Sequence, residues 1–345
     1  MRYLAVIPFA LLSFFNLSKA VTVSTDPVGF ITLDLPPEQM TAVSIPMLNS
    51  SLHSGVIYEV NGSTVIDNNA TWASDQFATK DSNLNPTHYI EITDHTDNTQ
   101  VGAIYEIIES DGDAKSLTIG DDATALNGAS YTIRKFRSLS EVFGESETSE
   151  LSSGSSSDAD IIYKIGAGGQ WEIYYIQVAP VFAGGNGWRK LGDIRTDASD
   201  VSIFPDEALI IKRRSAGEVK MTLTGSVKTS PSKTPITRGF NLVSLSYPVD
   251  VTLSDSNLLQ ADDPDGLLGL KSGSTTDADR IYIIDDGTFK IYYYQVAPIF
   301  AGGNGWRALG DIRTDAAGTT ISAGQGVVLK RNSDQGFIWK TDKPF

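Results

Sequence analysis

The chain is predicted to be all-β, made of tandem antiparallel sandwich or barrel units with an internal duplication. Three observations predict this. Residues 176–198 (IQVAPVFAGGNGWRKLGDIRTDA) return as 294–316 (YQVAPIFAGGNGWRALGDIRTDA), differing only at Ile176/Tyr294, Val181/Ile299 and Lys190/Ala308. Short alternating or β-branched runs recur between turns rich in Gly, Pro, Asn and Asp. No segment carries a capped 3.6-residue period, and Leu139 to Phe143 reads as a single turn at most.

Taken in order, residues 1–20 read as a secretory signal peptide. Arg2 supplies the positive start, Leu4 to Phe15 the apolar run, and Ser18-Lys19-Ala20 a small-x-small cleavage site. An N-terminal module is expected over 21–137. Its strands are Val21 to Phe30, Met40 to Pro46, a hairpin around Asn61-Gly62, Tyr89 to Thr93, Ala103 to Ile108 and Ser130 to Lys135. A polar loop spans Asn68 to Thr87. Residues 144–157 are Gly, Ser and Glu with little that is apolar, and read as a loop or linker. The first copy of the duplicated module is expected over 138–230, with strands Ile161 to Ile165, Trp171 to Val178, Leu209 to Arg213 and Val219 to Leu223. The polar stretch 225–237, with Pro231 and Pro235, reads as a second linker. The second copy, 231–345, opens with Phe240 to Pro248.

The duplication reaches beyond its most similar part. Asp158-Ala-Asp160 with Ile162-Tyr163 returns as Asp277-Ala-Asp279 with Ile281-Tyr282. A fainter echo joins Thr41-Ala-Val-Ser-Ile-Pro46 to Asn241-Leu-Val-Ser-Leu-Ser-Tyr-Pro248. The closing strands Tyr131 to Arg134, Leu209 to Lys212 and Val327 to Lys330 also correspond. A period above 100 residues means duplicated domains rather than a solenoid.

Composition narrows the function. The formal net charge is −15, and it falls to −17 if Arg2 and Lys19 leave with the signal peptide. Such acidity disfavours nucleic acid, whose phosphates would be repelled. The chain has no cysteine, which removes thiol catalysis and Cys-ligated zinc and leaves an exported fold to be stabilised by its cores. No later stretch is apolar enough for a spanning helix.

The repeated stretch holds the candidate binding residues. The plain reading of Gly184 to Arg189 is a tight Asn-Gly turn with Trp188 plugging the core beside it. The sharper reading is a glycan-binding edge. Tyr174 and Trp188 would offer ring faces, with Asn186, Arg189 and Asp193 as hydrogen-bonding neighbours. In the second copy these are Tyr292, Asn304, Trp306, Arg307 and Asp311. The glycine run is no phosphate loop, because neither Gly-Lys-Ser/Thr nor G-x-G-x-x-G is present. Asp193, Arg195 and Asp197 alternate, as do Asp311, Arg313 and Asp315, so an arginine between two carboxylates forms an ion-pair network. Asp158, Asp160, Asp277 and Asp279 are the candidate calcium ligands, although no D-x-D-x-D-G loop with its glutamate occurs and Asx turns account for the same residues. His88, Glu91, Asp94 and His95 are close in sequence, but on a strand Glu91 faces away from His88 and Asp94.

A signal peptide followed by Asp26-Pro27-Val28-Gly29-Phe30, a Ser-Ile-Pro strand, Ala159-Asp160-x-Ile-Tyr, Tyr174-Tyr175 and Trp188-Arg189 resembles an uncharacterised exported paralogous family of verrucomicrobial bacteria. The last unit also looks like β-modules of bacterial surface proteins, through Gly239-Phe-Asn-Leu-Val and Gly324-Gln-Gly326. The resemblance implies a β-rich envelope or secreted protein and carries over no catalytic residue. The expected function is therefore non-enzymatic, binding or structural, at the cell surface or outside the cell, in association with polysaccharide or other envelope proteins. A secreted glycan-active enzyme and a calcium-stabilised surface-layer or fibre component are the alternatives.

Overall fold

A computed structural model describes residues 26–344, apart from 167, 261, 262 and 264. The expected signal peptide lies outside the described residues. Strand accounts for 43% of the chain and helix for 4%, so the molecule is all-β. Among the described residues every strand pair is antiparallel and each sheet is open.

Three sheets share one strand order. With a hairpin of the third sheet set aside, the first strand in sequence lies at an edge, the last lies beside it, and the intervening three follow in order. In the first unit these are Met40–Ser44, Ala208–Lys212, Ile161–Ile165, Trp171–Gln177 and Gly187–Lys190. In the second they are Gly239–Ser244, Gly326–Arg331, Arg280–Asp285, Thr288–Gln295 and Gly305–Ala308. The third sheet runs His53–Val56, Ser130–Lys135, His88–Asp94, Ile104–Asp111 and Ser116–Ile119. The hairpin Thr64–Ile66 and Glu59–Asn61 extends it.

This pairing redraws the expected modules. Residues 28–48 belong with the first unit, because Met40–Ser44 completes its five-stranded sheet and Val28–Leu35 pairs along Val219–Val227. Residues 49–136 form a separate sheet and core inserted into that unit. The polar stretch 144–157 is a loop inside the first unit, not a boundary. Part of the expected second linker is a strand. Ser232–Ile236 pairs with Phe337–Thr341. Its alternation places Ser232, Thr234 and Ile236 inward, and Pro235 is tolerated in a two-stranded ribbon, where one side of the strand needs no ladder donor. In the expected Asn-Gly hairpin the turn falls on Gly62 and Ser63, with Gly62 at φ +61°.

Each unit is a small sandwich. Leu33, Leu35, Met221 and Leu223 pack against Ile162, Ile176, Trp188 and Leu209 in the first. Ile236, Phe337 and Trp339 pack against Ile281, Tyr292, Trp306 and Leu329 in the second. The outer faces of the two five-stranded sheets then meet through Ala42, Ala208, Ile210, Leu242, Ile284 and Val328. The contact is reciprocal. The Ser44 amide donates to Gly324 O (2.8 Å), and the Ser244 amide donates to Asp206 O (3.0 Å). Gly326 makes the approach possible, since a Cβ there would lie 2.7 Å from the Ala208 Cβ and 2.9 Å from Val43 O.

Candidate functional site

The repeated stretch forms the same loop twice. Strand Trp171–Gln177 ends where Gln177 pairs with Gly187, so the loop occupies 178–186. Pro180 starts a 3-10 turn over Val181–Ala183, and Gly184 closes it in the left-handed region at φ +99°. Only glycine fits there, because a Cβ would sit 2.0 Å from Ile194 O. The second loop repeats this with Pro298, Ile299–Ala301 and Gly302 at φ +97°.

Two buried polar side chains fix the loop from beneath. Gln177 Nε2 donates to Ala183 O and Gly185 O, both at 3.0 Å. Arg189 donates from Nε to Ile194 O (2.9 Å), from Nη1 to Trp188 O (2.6 Å) and from Nη2 to Gly184 O (2.7 Å). Gln295 and Arg307 make the same bonds to Ala301, Gly303, Ile312, Trp306 and Gly302, at 2.8–3.0 Å. Buried backbone carbonyls need donors, and a guanidinium supplies several in a fixed fork. Asn186 Oδ1 accepts from the Ala179 amide (3.1 Å), as Asn304 Oδ1 does from Ala297 (3.0 Å). Asp193 accepts from the Arg195 and Thr196 amides, and Asp311 from those of Arg313 and Thr314. The hydrogen bonds with Thr196 hold the exposed Asp193 carboxyl below its ordinary range.

The glycan-edge expectation is corrected by burial. Trp188 and Trp306 are 1% and 4% exposed. The Trp188 indole donates to Gly144 O (2.9 Å). Tyr174 and Tyr292 are also buried, with the Tyr174 hydroxyl between Glu172 (2.7 Å) and Asn83 (2.6 Å). None of these four ring faces is open to a sugar, and the core-plug reading of Trp188 holds. The expected ion-pair network is corrected too. The segment turns instead of running extended, so Asp197 and Asp315 face Arg189 (3.4 Å) and Arg307 (3.5 Å), not their sequence neighbours Arg195 and Arg313.

Asp160 and Asp279 are buried against Arg213 (2.7 Å) and Arg331 (2.5 Å). Each also accepts backbone amides, Asp160 from Ser152 and Arg214, Asp279 from Lys271 and Asn332. Asp158 and Asp277 are exposed and accept from Ser155 and Ser274. Of the four expected calcium ligands, Asp160 and Asp279 are thus already occupied by guanidinium and backbone donors, while Asp158 and Asp277 stand at the surface. Among the described residues no group of three or more His, Asp or Glu is placed to hold a metal ion. His88 Nδ1 lies against Thr87 (3.0 Å), and burial lowers its pKa to about 4. Glu91, across the strand, is tied to Lys228 and Ser230.

What the loops do present is apolar. Val181 and Phe182 are 91% and 82% exposed, and Ile299 and Phe300 are 94% and 84% exposed. Val178, Leu191 and Ile194 stand exposed in the same stretch, as do Val296, Leu309 and Ile312. Burying a Val or Phe side chain is favourable by about 1.5–3 kcal/mol, so each tip forgoes roughly 3–6 kcal/mol by facing water. The signal was in the sequence as Pro-Val-Phe-Ala and Pro-Ile-Phe-Ala beside a glycine run, but an apolar pair reads equally well as core.

Comparison with protein-family models, with curated proteins and with solved structures finds no match.

Proposed function

We propose that this chain is an exported, non-enzymatic binding or structural protein of the cell envelope, docking through two equivalent apolar loop tips. One observation carries the reading: an internally bonded loop holds a Val-Phe or Ile-Phe pair in water, and does so twice. Exposed apolar groups held in fixed geometry are a mark of association surfaces. Two equal contacts on one chain raise avidity without a stronger single contact. Near-identity of residues 176–198 and 294–316, with one strand order in both units, supports descent from one duplicated module. The signal-peptide pattern supports export. The partners are envelope proteins or further copies of the chain.

The test compares the wild type with Phe182→Ser, Phe300→Ser and the double variant. Retention on washed envelopes and concentration-dependent sedimentation are measured. Each single variant weakens retention or assembly several-fold and the double variant abolishes it, with melting temperatures unchanged. Full retention and assembly by the double variant would refute the reading.

A further inference from the structure

Away from the loop tips, the first unit, the second unit and the inserted sheet together enclose a cleft of about 860 Å³. That volume falls in the range of ~300–1,000 Å³ usual for small-ligand sites, which favour the junctions between domains. We propose that this cleft binds a glycan, uncharged or amino-substituted, through its hydroxyl or ammonium donors and its ring faces.

The rim is aromatic. Trp171 from the first unit and Phe240 from the second both line the cleft and are exposed. Their rings are braced edge-on, Trp171 by Tyr163 (6.4 Å) and Phe240 by Tyr282 (6.1 Å). Braced, wet ring faces offer the flat apolar contact that the C–H face of a sugar needs.

The floor is rich in acceptors. Glu106, Glu172, Asp206 and Glu207 line it, against the cations Lys164 and Arg238. Burial disfavours ionised Glu172, yet Lys190 (2.5 Å) and the Tyr174 hydroxyl hold its pKa low. Burial raises the pKa values of Glu106, Asp206 and Glu207. Glu207 is the decisive group. One carboxylate oxygen is bonded to Lys164 and to the Phe204 amide (3.3 Å). The other, Oε1, has no hydrogen-bond partner among the described residues, and the side chain is only 10% exposed. That oxygen is itself covered, so a ligand donor meets it only once the side chain turns toward the cleft; a buried carboxylate oxygen left unsatisfied is costly, and pairing with such a donor would relieve it. Four carboxyl groups against two lining cations leave little to hold phosphate, sulfate or uronate, while hydroxyls and ammonium groups are donors that the carboxyls can accept from.

Trp171 provides a direct probe. The chain has five tryptophans, and Trp72, Trp188, Trp306 and Trp339 are buried. Iodide should therefore quench Trp171 almost alone. The full-length chain is titrated with cello-oligosaccharide, with chitosan oligosaccharide and with oligogalacturonate. Shielding of the fluorescence from iodide is read, and binding heat is measured in parallel. Shielding by at least one of the first two, and not by oligogalacturonate, is expected. Phe240→Ala and Glu207→Gln should each weaken binding about tenfold. Phe240→Ala removes an exposed ring, so its melting temperature should match the wild type and its binding loss remains interpretable if Glu207→Gln does not fold. Absence of shielding and heat with both neutral and amino sugars would overturn the proposal, as would equal binding of oligogalacturonate or undiminished binding by Phe240→Ala. The loop-tip variants should bind sugar as the wild type does, which separates this site from the docking reading.

Discussion

Arg213 and Arg331 sit in the interior of their units with no exposed surface to speak of, and each is compensated by one aspartate. Breaking a buried pair by removing one partner typically costs 3–5 kcal/mol, because the remaining charge is stranded. Asp160→Asn and Asp279→Asn should therefore each destabilise the protein by about 3–5 kcal/mol in urea unfolding, whereas Asp158→Asn and Asp277→Asn, at exposed positions, should stay within about 0.5 kcal/mol. A calcium-ligand role would instead make all four sensitive and the loss dependent on added calcium. At this scale the sequence located the right residues and misjudged their surroundings. Asp160 was visible as part of a repeated Asp-Ala-Asp, but its partner Arg213 lies 53 residues away, bonded across the unit. Trp188 was legible as a core residue by its place beside a turn. Its alternative as a sugar platform failed because Gly144, in a loop far upstream, closes over the indole.

The loop from Val178 to Asn186 is more than a tight turn, and Gln177 is the reason. Its amide spans the loop at two carbonyls, while its own oxygen accepts from the Tyr175 hydroxyl (3.2 Å). Gln177→Leu removes both donors and leaves buried carbonyls unmatched, at a cost of about 1–3 kcal/mol confined to that loop. Chymotrypsin cleavage after Phe182 should then accelerate at least tenfold, with Phe300 in the untouched second loop as internal control. Equal cleavage at both sites would show that Gln177 does not hold the loop. Among the elements, the central strands were readable from alternation and aromatic content, and Ile161–Ile165 has the bounds expected of it. Ser232–Ile236 was not readable, because its residues are polar and include a proline; only pairing with Phe337–Thr341 makes it a strand. The nesting of 49–136 was equally hidden. The echo between Thr41–Pro46 and Asn241–Pro248 pointed to it, but hydrophobic patterns do not say which distant strand completes a sheet.

For the molecule as a whole, the close meeting of the two five-stranded sheets rests on Gly326. Gly326→Ala drives a methyl into Ala208 and the Val43 carbonyl. Overpacking of that kind costs about 1–3 kcal/mol. The melting temperature should fall accordingly, and the companion change Ala208→Gly should restore part of it. An unchanged melting temperature in Gly326→Ala would mean that the sheets have room to separate.

The reciprocal contact also bears on how the protein behaves in dilute surroundings. Two separate subunits joined through Ser44 with Gly324 and Ser244 with Asp206 would drift apart as their concentration fell. Here both partners belong to one polypeptide, linked by the few residues between Val227 and Ser232. Their encounter is intramolecular, so it does not weaken on dilution, and the cleft that the units share survives with it.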